Sequence, residues 1–484
     1  MTPAGGREDA GTRDPLAALA AAAAGAHAQA WLVGGAVRDR LLGRATLDLD
    51  AVVTGDPAAL ARAVGRSANG HAFELSELFG GWRVTARDHR WQLDLLGLGG
   101  GSVEDDLARR DLTINAIAEP LEAGGDPGTP IDPFGGVNDL RAGRLRMVSD
   151  QSFVDDPLRV LRLARFAAQL GFNVEAETHV RARAAVTGLS RVAGERIFAE
   201  LRGIVCAPRA LAGLQLMDEL GATRVVLPEL DALHGVEQSR YHHLDVGDHT
   251  RATLAETIAL VQRPDLLTAD DSTAAALGAA LAQPLANELT RGQALRFGAL
   301  LHDIAKTRTR AVSEEGRVSF WGHDELGAEM AREILGRLRA SERLQSYVAA
   351  LTRSHLRLGF LVHRTPLSRR ELYDYLMACA PVAVDVTLLS VADRLATRGA
   401  NAEPAIEAHL RLAAEVMPAA LAFEAEPPRP PLRGDELAAA LGIRPGPRLG
   451  ELLSELQAAS YAGEITGRDE ALGLARQLLE NDDA

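Results

Sequence analysis

Apolar residues follow two rhythms along this chain. In Asp48-Leu49-Asp50-Ala51-Val52-Val53, polar and apolar positions alternate and then give way to a short apolar run, the pattern of a strand entering a core. Ala30–Val33 is a second short strand, and the alanine-rich stretch from Leu16 reads as an amphipathic helix leading into it. Gly34 and Gly35 separate that strand from a helix over Ala36 to Leu42. Arg83–Ala86 and Trp91–Leu96 read as paired strands around the polar turn Asp88-His89-Arg90, and Gly99-Gly100-Gly101-Ser102 as a loop. From Pro157 to about Leu220 the spacing turns helical. Leu158, Leu161 and Arg165 mark faces of one helix that Gly171 ends. Residues 240–420 read as a further, all-helical domain, 424–433 as a proline-rich acidic linker, and the remainder as a small helical tail. The expected fold class is α+β, a small mixed-sheet head followed by all-α domains.

Composition bounds this picture. At about 100–200 residues per domain, 484 residues make two to four. The boundaries expected are a disordered 1–15, a head over 16–150, a helical neck over 151–235, an all-α domain over 236–422, and linker and tail over 423–484. Two cysteines, Cys206 and Cys379, give neither a disulfide framework nor a zinc spacing, so a reducing cytoplasm is expected. The stretch from Leu16 to Val33 lacks the basic n-region of a signal peptide, and His27 and Gln29 interrupt it. No run reaches the ~20 apolar residues of a membrane span. A formal charge of −14 argues against a nucleic-acid partner. Arginine recurs densely between Arg109 and Arg209, however, so a local basic face is compatible with that total.

The first chemistry sits at the glycine turn. Gly34 and Gly35 would let backbone N–H groups approach a triphosphate at a helix N-terminus, with Arg38 on the first helical turn in reach of the same phosphates. Asp48 and Asp50 are two apart on a strand, which puts both carboxylates on one face. Two such carboxylates repel unless a cation lies between them, and Mg²⁺ prefers oxygen ligands. Asp94, on a later strand, is a candidate third carboxylate.

Leu32 to Val53 resembles the opening motif of the class II tRNA nucleotidyltransferase and bacterial poly(A) polymerase family, within the polymerase-β superfamily. Further segments agree in order: Arg109-Arg110-Asp111-Leu112-Thr113-Ile114-Asn115-Ala116, then Asp132-Pro133-Phe134-Gly135-Gly136 with Asp139-Leu140. Asp155-Asp156-Pro157-Leu158-Arg159-Val160-Leu161-Arg162 with Arg165-Phe166 follows, then Glu195-Arg196-Ile197. The resemblance covers about residues 30–220. It implies a polymerase-β-like head, Asp48 and Asp50 as catalytic metal ligands, and Gly34, Gly35 and Arg38 at the phosphates. It implies Arg110 at the nucleotide, Asp156 and Arg159 on the Watson–Crick edge of CTP or ATP, and Arg162 and Arg165 in support. The partner implied is the 3′ end of tRNA. Three residues apart, Asp156 and Arg159 would be neighbours on a helix. A carboxylate accepts from the exocyclic amine of cytosine or adenine and repels the carbonyl of uracil or guanine. CCA-adding members carry a long loop before the Arg-Arg-Asp motif that assists addition of the terminal A, whereas here only Leu95 to Asp106 fills that gap. Addition of CC alone therefore stands beside addition of C and A, and poly(A) addition to other RNAs is a neighbouring alternative.

A second set, His249, His302, Asp303, His323, His355 and Asp393, joins imidazole to carboxylate, ligands suited to a divalent transition metal or two. It resembles the HD phosphohydrolase family in residue order, with His323 and His355 matching the extra histidines of two-metal members. That implies hydrolysis of a phosphate ester, such as a cyclic or monoester phosphate at a damaged tRNA end. A phosphohydrolase using the head as an RNA-binding module is the reading of a different class. The tail, from Leu432-Arg433-Gly434-Asp435 through Pro445-Gly446-Pro447-Arg448, resembles the segment that grips the body of tRNA in these enzymes.

Overall fold

Asp48 begins a strand whose odd and even positions part company, and the head is built around that division. The computed structural model describes residues 14–76 and 80–482. The disorder expected for 1–15 falls almost wholly on residues outside that set.

The head elements run α1 (Pro15–Gly25), β1 (Ala30–Val33), α2 (Gly35–Leu41), β2 (Asp48–Val53), α3 (Pro57–Ser67), β3 (Gly70–Ser76), β4 (Gly81–Ala86), β5 (Gln92–Gly97), α4 (Val103–Ala108) and β6 (Ala118–Pro120). The six strands form one sheet in the order β3-β4-β5-β2-β1-β6. β2 and β5 pair in parallel and the other neighbours are antiparallel, so the sheet is mixed, as expected. Ala51 and Val53 of β2 join Ala30, Val84, Leu93 and Leu95 in a core that α1 and α3 cover with Leu19, Leu60 and Val64. Val52 faces the other way, into a cluster with Trp31, Val33, Val103 and Leu107. Period-2 geometry thus places Asp48 and Asp50 on the Val52 face, away from α1 and α3. At the start of β2 both aspartates are exposed.

Three local expectations need correction. Helix α1 is not amphipathic: Leu19, Ala20 and Ala23 are buried, but exposed Ala21 and Ala24 are equally apolar. Its position is set by which side meets the sheet. Helix α3 and strand β3 were not among the expected elements, although α3 carries a clear apolar face in Leu60, Ala61 and Val64. The domain read as all-helical also contains two hairpins, Pro284–Ala286 with Leu289–Thr290 and Ala311–Val312 with Val318–Ser319.

The chain divides into two compact units, residues 1–192 with 219–222, and 193–218 with 223–484. The first continues past the head through α5 (Gly136–Ala142), α6 (Ser152–Asp155) and α7 (Arg159–Leu170), which Gly171 ends in the left-handed conformation. The second is helical but for its hairpins. Its long helix Ala402–Ala425 runs through Glu424, so the proline-rich linker starts two residues later than expected, at Glu426. Burial explains this: Glu424 accepts from Arg291 Nη2 at 2.7 Å and from the Val384 N–H at 3.0 Å, and so belongs to the domain. Among the described residues no single helix is long and apolar enough to cross a membrane.

Candidate active sites

In the head, β2 lies beside β5 with Asp50 directly opposite Asp94. Asp94 is held from the next strand by Arg83, through two bonds of 2.7 Å. The Asp50 carboxyl is raised above the usual carboxylate range. The surrounding protein withholds water from it, and Asp94 and Asp48 add like charge, while Arg110 and Arg83 oppose the rise. A carboxylate held among others with little water around it is relieved by a cation, which is what the pair at Asp48 and Asp50 asks for.

The glycine turn meets this strand from β1. Gly34 has φ +69°, and a Cβ there would collide with the Arg110 guanidinium, so glycine is required both by the backbone and by the packing of Arg110 on the turn. Arg110 is fixed by Asp106 at 2.9 Å. Gly35 opens α2, and Arg38 of that helix donates to Asn115 Oδ1 at 2.8 Å. Asn115 in turn donates to Asp111 Oδ1 at 3.0 Å, and Arg162 Nε donates to Asp111 Oδ2 at 2.7 Å. Burial alone would raise the Asp111 carboxyl, but the charge of Arg162 and the bonds from Asn115, Arg162 and the Leu112 N–H hold it below the usual range. Phe166 completes the cluster. The guanidinium carbons of Arg38, Arg162 and Arg165 lie 5.1, 5.5 and 4.5 Å from its ring centroid. Every arginine named from the sequence on α2 and α7, except Arg159, therefore converges on one buried ring.

Asp156 and Arg159 are not neighbours on one helix. Asp156 precedes α7 with an extended backbone (φ −142°, ψ 100°), and its carboxylate accepts from the Leu158 N–H at 3.2 Å. Pro157 is the cause, since the residue before a proline is driven out of the helical region. Arg159 opens α7. It donates to the carbonyls of Ser152 (3.0 Å), Arg109 (2.6 Å) and Arg110 (3.4 Å). Those bonds use three of its five N–H donors.

The second unit brings all six of its named residues together. His249 comes from the helix Val246–Gln262, and His302 and Asp303 follow the helix Arg291–Leu301. His323 opens a helix, His355 closes one, and Asp393 lies on Ala383–Ala396. The ligand atoms fall into two groups, His249 with His302 and Asp393, and Asp303 with His323 and His355, each within 4.8 Å. Asp303 joins the groups. Its Oδ2 stands 3.1 Å from His302 Nε2 and 3.6 Å from His249 Nε2, and its Oδ1 stands 3.4 Å from His323 Nε2 and 3.8 Å from His355 Nε2.

Hydrogen bonding selects the coordinating tautomer. His302, His323 and His355 each put Nδ1 on a backbone carbonyl, of Ala299, Phe320 and Thr352, at 2.9, 2.7 and 2.6 Å. Each Nε2 is thereby left as an unprotonated donor for a metal. His323 Nε2 and His355 Nε2 then face each other at 3.3 Å, lone pair to lone pair, an arrangement a cation would stabilise. His302 Nε2 and both Asp303 oxygens are buried with no hydrogen-bonded partner among the described residues, although Lys306 Nζ makes an ion pair with Oδ2 at 2.7 Å. The residues present fit a two-metal centre.

A cavity of about 580 Å³ opens onto Asp303, His323, His355 and Asp393. Its walls include residues that the sequence reading left out of the site. Burial pushes the His242 imidazole down to about 3, with Lys306 adding to the effect, and pushes His409 down to about 4, so both are neutral near pH 7. Lys306, three residues after Asp303, was not among the candidate residues. His242 and His409 had no signal beyond being histidines.

Three family models match: "Poly A polymerase head domain" over 30–96 and 83–146, "Probable RNA and SrmB- binding site of polymerase A" over 171–233, and "HD domain" over 275–398. The A-adding tRNA nucleotidyltransferase of Deinococcus radiodurans is 37% identical over 463 residues, 93% of this chain and 95% of the relative. The chain belongs to the tRNA nucleotidyltransferase family. It is a nucleotidyltransferase with a polymerase-β-like head and an HD domain. The CC-adding tRNA nucleotidyltransferase of Thermus thermophilus is 35% identical, over 91% of this chain and 92% of the relative. The solved structure of a CCA-adding enzyme with ATP shares the fold, with a TM-score of 0.64 at 21% identity over 96% of this chain and 94% of that one. The Thermotoga maritima CCA-adding enzyme complexed with tRNA is likewise similar, with a TM-score of 0.60 at 21% identity over 96% and 94%. The nucleotidyltransferase and HD families work with divalent metals, and the His/Asp groups are the candidate ligands here.

Proposed function

We propose that this nucleotidyltransferase adds C, and A, to the 3′ end of tRNA from CTP and ATP, without a template. The observation that carries the reading is the acid pair Asp48 and Asp50 beside the Gly34–Gly35 turn, where loss of water first, and the charges of Asp94 and Asp48 after it, raise the Asp50 carboxyl. Asp48 and Asp50 would hold Mg²⁺, which supplies activation of the attacking hydroxyl and neutralises the leaving pyrophosphate. Gly34, Gly35 and Arg38 take the triphosphate, and Arg110 the sugar side of the nucleotide. Asp156 and Arg159 read the amine and ring nitrogen of the base, with Arg162 and Arg165 steadying them through Asp111 and Phe166. The neck over 151–235 presents these readers, and the tail beyond the helix Ala402–Ala425 grips the tRNA body.

A second reading, addition of CC alone, is favoured by the connection between β5 and α4. It is only Leu98 to Ser102, and the capping box of Ser102 and Asp105 pins its end. Offering tRNA that lacks its whole 3′ end, or only its last nucleotide, with CTP or ATP separates the two. Incorporation of CTP onto the former together with ATP onto the latter supports CCA addition, and CTP incorporation alone supports CC addition. No incorporation of either on either tRNA contradicts both.

In the HD domain, His249, His302 and Asp393 would hold one divalent transition metal, and Asp303, His323 and His355 a second. They would serve hydrolysis of a phosphate monoester. The water oxygen bonds to phosphorus, the bond from phosphorus to the ribose oxygen breaks, and a proton passes to that oxygen.

A further inference from the structure

Directly opposite residues on neighbouring strands point to the same side of a sheet, so the register of the head draws one row of side chains across it. Asp50 of β2 stands opposite Asp94 of β5, Asp94 opposite Arg83 of β4, and Arg83 opposite Phe73 of β3. Asp48, Gln92, Thr85 and His71 make a second row beside the first. Helices α1 and α3 pack on the other side of the sheet, against Ala51, Leu93, Val84 and Ala72. The face that carries the acid pair therefore runs on to the outer edge of the sheet, with Asp94 and Arg83 partly exposed along it.

That face ends on aromatic rings. β3 is an edge strand. Its Phe73 is 40% exposed, and the exposed His71 ring stacks on it, with centroids 6.0 Å apart and planes at 29°. Edge strands are usually blunted with charge, and a stacked pair left open there forgoes burial. A lone exposed ring is ordinary; this one stands in register with the acid pair. Arg83 lies between. Its Nε and Nη2 donate to Asp94, and its Nη1 makes no hydrogen bond among the described residues.

An acid pair, then an arginine, then stacked rings is a track for single-stranded nucleic acid: a metal site at the reacting hydroxyl, a cation for a backbone phosphate, a π-face for a base. Three strand spacings separate Asp50 from Phe73, about 14 Å. At about 3.4 Å per stacked nucleotide, roughly four nucleotides cover that span, the reach of an unpaired 3′ end. The incoming triphosphate does not compete for it. The Gly34–Gly35 turn follows β1, which borders β2 on the side away from β5, β4 and β3.

We propose that Phe73 and His71 form a stacking platform for an unpaired base at the 3′ end of the acceptor RNA, with Arg83 Nη1 on an adjoining phosphate. The platform rests on the reading of the acid pair as the site of nucleotidyl transfer. It assigns the outer strand of the head to the acceptor and not to the incoming nucleotide, and, being a stack, it accepts any base.

The test uses the full chain with Mg²⁺, labelled CTP and ATP, and tRNA lacking either its last nucleotide or its whole 3′ end. Thermal midpoints establish that each variant is folded at the assay temperature. F73A is expected to raise KM for the tRNA that is extended about fivefold or more, with KM for CTP and ATP unchanged. F73Y, which keeps a ring, retains both wild-type values. 2-Aminopurine is also placed at each unpaired position of the tRNA in turn. At one position the wild type and F73Y quench its fluorescence on binding, and F73A does not. An unchanged KM for tRNA in folded F73A, an equal rise for CTP and ATP, or quenching independent of Phe73 at every position overturns the platform while leaving nucleotidyl transfer standing. No incorporation by the wild type into either tRNA overturns the reading of the acid pair, and the platform with it.

Discussion

Arg162 Nε donates to Asp111 Oδ2 at 2.7 Å, and through the other oxygen of Asp111 and the amide of Asn115 that bond continues to Arg38. Arg38 of α2 and Arg162 of α7 therefore hang on one buried carboxylate. Asp111→Asn would leave the size of the side chain but remove the charge. We expect a loss of about 2 kcal/mol at pH 7, seen as a lowered denaturation midpoint. The Asp111 carboxyl is depressed in the folded protein, so its contribution is present above the ordinary value of 3.8 and is lost as pH falls through the lower folded value. The gap between wild type and variant should thus be widest near neutrality and close in acid. A gap that widened on acidification would contradict the assignment.

Specificity for C and A is placed on Asp156. Asp156→Asn replaces one acceptor oxygen by a donor, which would face the carbonyl of uracil without repulsion. CTP incorporation should fall about tenfold or more, while UTP incorporation rises relative to it. Measured kcat/KM for the four nucleoside triphosphates checks this, and an unchanged ratio of CTP to UTP counts against Asp156 as the reader.

Much of this site is written in the sequence, and the reasons differ by residue. Asp48 and Asp50 are legible because a period of two fixes their common face whatever the rest of the sheet does. Asp94 was visible as a strand charge, and its bond to Arg83 lies within the expected strand pair, but its place opposite Asp50 depends on a parallel pairing that joins segments about forty residues apart. Asp156 illustrates the opposite failure: spacing put it on the helix with Arg159, and Pro157 took it off. The six candidate residues of the HD domain could be grouped by their order, and the fold brings them together. Their division into two groups bridged by Asp303 was not legible, because it depends on where five helices meet. Phe73 and His71 gave no signal at all, since their register with the acid pair is a property of the folded sheet.

The HD centre can be separated from the head by its metals. His323→Ala removes a ligand from one group only, and Asp303→Ala removes the residue shared by both. Metal analysis should find about one equivalent fewer in H323A and a larger loss in D303A. Both variants should retain nucleotide addition. Equal metal content in wild type and D303A would exclude Asp303 as a bridge.

Arg291 tests the revised domain boundary. It donates to fully buried Asp385 and to Glu424, and the two carboxylates drive its own pKa further upward. Arg291→Ala strands a buried carboxylate and should cost about 3–5 kcal/mol. A chain ending before Glu424 should show part of the same loss by thermal unfolding, and full stability of that truncation would return Glu424 to the linker.

The central claim is that Asp48 and Asp50 carry nucleotidyl transfer to the 3′ end of tRNA. Its most direct test is incorporation of labelled CTP and ATP into tRNA lacking its 3′ end, by the wild type and by the double variant D48A/D50A, with thermal midpoints measured alongside. The account predicts incorporation by the wild type and a loss of at least about 10³-fold in the variant, at a midpoint no lower than the wild type's, because the raised Asp50 carboxyl marks a charge that costs the fold stability near pH 7. Undiminished incorporation by a folded D48A/D50A would contradict it.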